Sequence, residues 1–174
     1  RSPSRGLGDV YKRQELNGKA RDFLNQISEK LAAFDLSSPD HLCFRVTSQE
    51  EYSEYKKKFD KVGKLLIESM IGGRLISTYK LDNEIKFKGW SVDVIELPAP
   101  KAKSDYKLGF EHAEFVISES FVKFQSSYPQ YDWDTRACSK EHNPELRLSL
   151  FEGISVKFHH MALEKVIEIE KKEL

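Results

Sequence analysis

Hydrophobic and polar positions alternate most clearly in residues 110–117, Phe-Glu-His-Ala-Glu-Phe-Val-Ile. On an extended chain, Ala113, Phe115 and Ile117 share one face, and His112, Glu114 and Val116 share the other. An imidazole and a carboxylate on one face are unusual in a strand meant only to pack. Residues 41–46 repeat the design: Leu42, Phe44 and Val46 alternate with His41, Cys43 and Arg45. The two stretches read as equivalent strands of a duplicated unit, with their histidines directed into one cavity.

The pattern around them predicts the remaining elements. Residues 20–34 form an amphipathic helix, with Phe23, Leu24, Ile27 and Leu31 on one face. Thr47 or Ser48 caps a second helix that runs to about Phe59, with Glu50 and Glu51 in its first turn. Strands over residues 64–70 and 74–81 flank Ile71-Gly72-Gly73, Asp82-Asn83 marks the next turn, and residues 90–97 form a fourth strand stopped by Pro98. After a polar linker the order recurs. The strand at 110–117 precedes a helix through Phe121, Phe124 and Tyr128, a strand within 134–140, a strand at Leu146, Leu148 and Leu150, and a last one at Ile154, Val156 and Phe158. A C-terminal helix begins near Ala162. The expected fold is α+β: paired βαβββ modules, residues 41–97 and 110–160, forming a curved mixed sheet with a shared cavity, plus N- and C-terminal helices. His41 and His112 are 71 residues apart, and Glu96 and His159 are 63 apart, the similar offsets a duplicated module gives.

Residues 1–14, RSPSRGLGDVYKRQ, carry no helical or strand period and read as a non-native, adapter-derived segment. On that reading residues 15–174 are one domain, and the natural N-terminus is expected to be missing. Formal net charge is zero, which gives no electrostatic reason to expect nucleic acid or an anionic membrane as partner. No apolar run approaches the roughly 20 residues needed to span a bilayer. Cys43 and Cys138 make no disulfide framework, so thiols and a cytoplasmic setting are expected.

Each module opens on a histidine and ends on a further donor, Glu96 or His159. His41, Glu96, His112 and His159 are therefore the candidate metal ligands. Three imidazoles with one carboxylate suit a divalent transition metal such as zinc, nickel, iron or manganese. Asp40, Glu111 and Glu114 are available to accept from the other ring nitrogens. Glu114 is also the candidate acid/base, one strand step from His112. Arg45, Arg74 and Arg147 are candidates for a substrate carboxylate, and His142 for the cavity mouth. The plainer alternatives are hydrogen-bonded structural histidines, solvated strand arginines and a surface Glu96. The face of Glu96 is the least certain, because strict alternation puts it with Trp90, Val92 and Val94.

Asp40-His41, Gly72-Gly73-Arg74, Glu96-Leu97-Pro98, Glu111-His112-Ala113-Glu114, Asn143-Pro144 and Lys157-Phe158-His159 together resemble the bacterial YecM family, in order from about Phe23 to the C-terminal helix. That family resembles the vicinal-oxygen-chelate superfamily of glyoxalase I, bleomycin-resistance proteins and extradiol dioxygenases. The resemblance implies metal ligands on the first and last strands of each module, which fall on His41, Glu96, His112 and His159. The last position is often Glu in glyoxalase-like members and is His here, which counts against glyoxalase chemistry. The expectation is a metal-dependent isomerase, lyase or dioxygenase acting on a small molecule. The alternatives are a non-catalytic metal or small-molecule binding protein, or a partner-binding protein with a vestigial pocket.

Overall fold

The computed structural model describes residues 6–174. Helix α1 (Leu7–Lys30) starts well before the expected Ala20. Leu16 extends the apolar stripe of Ala20, Phe23, Leu24 and Ile27 by one turn, and a Glu15–Lys19 pair at 3.1 Å supports the polar face. The segment read as adapter-derived is thus helical over residues 7–14, while residues 1–5 lie outside the described residues. Strand β1 (His41–Arg45) leads to α2 (Gln49–Asp60). The N-cap Ser48 hydroxyl accepts from Glu51 N at 3.1 Å. In return Glu51 Oε2 accepts from Thr47 N at 2.7 Å, which closes a reciprocal cap. Ser120 caps α3 (Phe121–Ser127) in the same way, accepting from Lys123 N at 3.2 Å.

Strands β2 (Gly63–Ile71), β3 (Arg74–Phe87) and β4 (Trp90–Pro98) complete the first module. The second consists of β5 (Gly109–Val116), α3, β6 (Trp133–Asp134), β7 (Leu146–Phe151) and β8 (Ile154–His159), followed by α4 (Leu163–Glu173). All eight strands form one sheet in the order β2-β3-β4-β1-β5-β8-β7-β6. The antiparallel pair β1–β5 is the seam, with His41 opposite Glu114 and Cys43 opposite His112. β4 lies parallel to β1, and β8 lies parallel to β5, so the two βαβββ modules repeat about that seam.

Helices α1, α2 and α3 cover one face of the sheet. There Leu42 and Phe44 of β1, Phe115 of β5 and Val156 and Phe158 of β8 pack with Leu24 and Ile27 of α1, Phe59 of α2 and Phe124 of α3. Phe158 is fully buried. Its ring lies 4.8 Å from that of Phe124, 5.8 Å from those of Phe115 and Trp133, and 6.1 Å from that of Phe34. Burying a side chain of this size contributes roughly 1.5–3 kcal/mol from area alone. Among the described residues no helix is long and apolar enough to cross a membrane.

Three local expectations differ from the structure. The chain does not turn at Asp82-Asn83. Instead Asp82 N donates to Val62 O at 2.9 Å, and the strand continues to bury Ile85 and Phe87. The turn falls at Lys88-Gly89, whose φ values of 43° and 84° are the positive pair a tight hairpin uses. The strand expected within 134–140 is only the two-residue β6. Asp134 Oδ1 accepts from Arg136 N at 3.1 Å, an Asx-type turn that ends the pairing. In β4, Val92, Ile95 and Leu97 all belong to the core, which strict alternation forbids. The alternation slips opposite the register shift between Lys80 and Ile85 of β3. Beyond the slip Glu96 turns away from the core that Trp90 and Val92 face.

Candidate metal centre

The face of the sheet opposite α1, α2 and α3 borders a cavity of about 440 Å³. Strand β1 contributes His41 and Arg45, β4 Glu96, β5 His112 and Glu114, and β8 Lys157 and His159. Leu163, Val166 and Ile167 of α4 close one side, and the His142-Asn143 loop lines the mouth. The alternation that puts Leu42, Phe44, Ala113 and Phe115 into the core puts the histidines here.

Glu114 is the centre of the arrangement. His41 Nε2 lies 3.3 Å from its Oε2, His159 Nε2 3.2 Å from the same oxygen, and His112 Nε2 3.2 Å from Oε1. Lys157 Nζ stands 3.9 Å from Oε1. The other ring nitrogens are anchored: His41 Nδ1 to Asp40 Oδ2 at 2.8 Å, and His112 Nδ1 to Glu111 Oε1 at 3.2 Å. His41, His112, His159 and Glu114 are all buried. Burial opposes protonation of His41, yet Glu114 and Asp40 outweigh it and hold its pKa up at about 10. Burial would raise Glu114, but His41, His112 and His159 hold it well below the ordinary carboxylate value. Burial likewise opposes the charge on Lys157, while Glu114 and Glu145 raise its pKa.

The family described as "YecM protein" matches residues 12–170. The chain belongs to the YecM family. Protein YecM of Escherichia coli is 27% identical over 146 residues, covering 76% of this chain and 78% of that protein. An uncharacterized protein of Haemophilus influenzae is 37% identical over 78 residues, 45% of this chain and 41% of that protein. The solved structure of Protein EC4020 superposes with a TM-score of 0.74 at 24% identity, covering 91% of this chain and 93% of that one. The same fold is thus seen at low identity. The paired βαβββ modules and single mixed sheet expected from the sequence are the architecture observed in this YecM chain.

The donor types lining the cavity of this YecM chain are those a divalent transition metal takes. Three imidazole Nε2 atoms converge beside one carboxylate, and the Nε2 atoms of His41 and His159 have no hydrogen-bond partner. Anchoring of Nδ1 by a carboxylate is how metal-binding histidines are oriented. The four candidate ligands expected from the sequence, His41, Glu96, His112 and His159, do not form one tight group. Donor atoms of Asp40, His41 and His159 lie within 4.8 Å of one another, as do those of Cys43, Glu96 and His112. Glu114 links the two sets.

The registers give the reason. Glu96 sits beside Cys43, two residues beyond His41, whereas His159 sits beside Val116, four beyond His112. Arg45 and Arg74 line the cavity, while Arg147 is exposed and outside its wall. Lys157 is a site residue that sequence reasoning misses. Its signal was alternation with Val156 and Phe158, which places it on the histidine face. Tyr106, in the polar linker, carried no pattern at all.

Proposed function

We propose that the protein is a metal-dependent enzyme acting on a small molecule, with His41, His112 and His159 as imidazole ligands and Glu114 as the carboxylate. The observation that carries this reading is the convergence of three Nε2 atoms to 3.2–3.3 Å of one buried carboxylate beside a cavity of about 440 Å³. A volume of that size suits a small organic ligand. A divalent ion held there would polarise a substrate oxygen or activate a water. The carboxylates exchange the roles expected from sequence. Glu114 is enclosed by the histidines, and in this reading the half-buried Glu96 on the cavity wall, its donor oxygen within 4.8 Å of those of Cys43 and His112, takes and returns the proton. Asp40 and Glu111 orient His41 and His112. Isomerase, lyase and dioxygenase chemistry all use such a centre.

The test is elemental analysis and calorimetric titration of protein purified without a histidine tag. About one equivalent of metal per chain is expected, lost in His41→Ala and His112→Ala. Failure to bind zinc, nickel, iron or manganese would sink the proposal. Tight binding with no exchangeable water on the ion, measured by proton relaxation of the manganese form, would favour a non-catalytic binding protein, because a catalytic site keeps an open position.

A further inference from the structure

The cavity has a second polar centre, and it is cationic. Arg45 extends from β1 on the face of His41 and Cys43, and is only 9% exposed. Its Nε lies 3.0 Å from Glu111 Oε1 but out of line for a hydrogen bond, and neither Nε nor Nη1 has an acceptor. Arg74, the first residue of β3, lines the same cavity. Its Nη1 donates to Tyr106 Oη at 3.1 Å, while its buried Nε has no acceptor. The Tyr106 ring braces both groups, with the Cζ atoms of Arg45 and Arg74 at 4.9 Å and 6.0 Å from its centroid.

Buried donors without acceptors are costly and rare, and guanidinium forks match planar oxyanions. Two such groups from two strands facing one cavity are poorly explained as scaffold, because Arg45 Nε and Nη1 and Arg74 Nε are left without an acceptor in the protein. The geometry points to an oxyanion subsite formed by Arg45 and Arg74 and braced by Tyr106, which takes the carboxylate of a small-molecule ligand. At the arginine pair itself Glu111 offsets one guanidinium and leaves one positive charge, which favours a monoanionic carboxylate over a dianionic phosphoryl group. A ligand anchored there by its carboxylate directs its remaining oxygens toward the histidines. This assignment rests on the proposed small-molecule site, but it does not need the metal.

The test uses full-length protein stripped with chelator, titrated calorimetrically with lactate and separately with methylphosphonate. Lactate is expected to bind. Its affinity should fall about tenfold or more in Arg45→Leu and in Arg74→Leu, and should fall less in His112→Ala, which removes a proposed metal ligand. Arg74 is only half-buried, so its variant carries the test if Arg45→Leu fails to fold. Unchanged lactate affinity in Arg74→Leu would overturn the subsite, as would no binding of either anion. Loss of lactate binding in His112→Ala with retention in Arg74→Leu would also overturn it and move the anion to the histidine centre. Tighter binding of methylphosphonate than of lactate would overturn the carboxylate assignment. Because every titration is metal-free, absence of a metal site would be read separately, from the elemental analysis.

Discussion

Asp40 holds two parts of the protein with one oxygen. Its Oδ2 accepts from His41 Nδ1 at 2.8 Å and from Leu163 N, at the start of α4, at 2.9 Å. The N-cap of α4, Ala162, has no side chain that can cap, so Asp40, just before β1, supplies the acceptor the helix lacks. The helix is otherwise lightly held: Ile167 is its one buried residue, and Glu164 pairs with Lys80 at 2.6 Å. Removing a capping acceptor costs about 1 kcal/mol, and a carboxylate near a helix N-terminus adds roughly 0.3–1 kcal/mol. Asp40→Ala should therefore lower the local opening free energy of α4 by about 1–2 kcal/mol, which speeds amide exchange roughly 5–30-fold. Asp40→Asn keeps an oxygen for Leu163 N and should lose less. In both variants His41 loses its charged anchor, so metal affinity should fall about 10–100-fold. Hydrogen exchange read peptide by peptide and calorimetric metal titration give the two answers. If α4 exchanges at the wild-type rate in Asp40→Ala, Asp40 does not cap this helix.

Three further outcomes follow from the packing. Phe158→Ala should cost about 3–5 kcal/mol in urea denaturation, because its ring is fully buried among Phe34, Phe115, Phe124 and Trp133; a loss below about 1 kcal/mol would show that the cluster closes over the gap. Gly63→Ala should destabilise by about 1–3 kcal/mol, since the new Cβ would lie 2.5 Å from the Lys80 carbonyl oxygen, and an unchanged denaturation midpoint would contradict that close approach. Glu68 accepts from Lys56 Nζ, Tyr52 Oη and Ser77 Oγ, which hold its carboxyl below the ordinary value. Its stabilising contribution is therefore complete above the ordinary value of about 4.3 and is lost as pH falls through the depressed folded-state value. The stability gap between wild type and Glu68→Gln should narrow on acidification; a gap constant from neutral pH to about pH 3 would refute the assignment.

The period-two pattern is a good guide where one face of a strand is apolar and the other carries polar side chains, even with both faces buried. It placed His41, His112, Glu114 and His159 on the cavity side and Phe44, Phe115 and Phe158 in the core. It failed at β4, because a slip in alternation is set by the neighbouring strand: the extra residues between Lys80 and Ile85 of β3 turn Glu96 to the face that alternation denied it. The continuation of β3 past Asp82 was hidden for a related reason, since Asp-Asn reads as a turn while the buried Ile85 and Phe87 draw the chain onward. Short β6 depends on an Asp134 side-chain bond that overrides strand propensity. The central position of Glu114 was not legible either. It depends on the registers of β5 with both β1 and β8, and register is a long-range property that residue spacing within one strand does not carry.

The seam between β1 and β5 has a consequence for how the protein can be divided. One half supplies His41, Arg45, Arg74 and Glu96, and the other supplies Tyr106, His112, Glu114 and His159. Neither half alone contains the histidine cluster or the braced arginine pair. The exposed residues 101–105 between them make a natural place to cut the chain. Two fragments separated there would make a reconstitution pair whose metal affinity reports on their association, because the imidazoles converge only when β1 and β5 zip together. For the same reason, unequal drift of the two repeats would be constrained at this junction, each copy acting as the template against which the other must still fit.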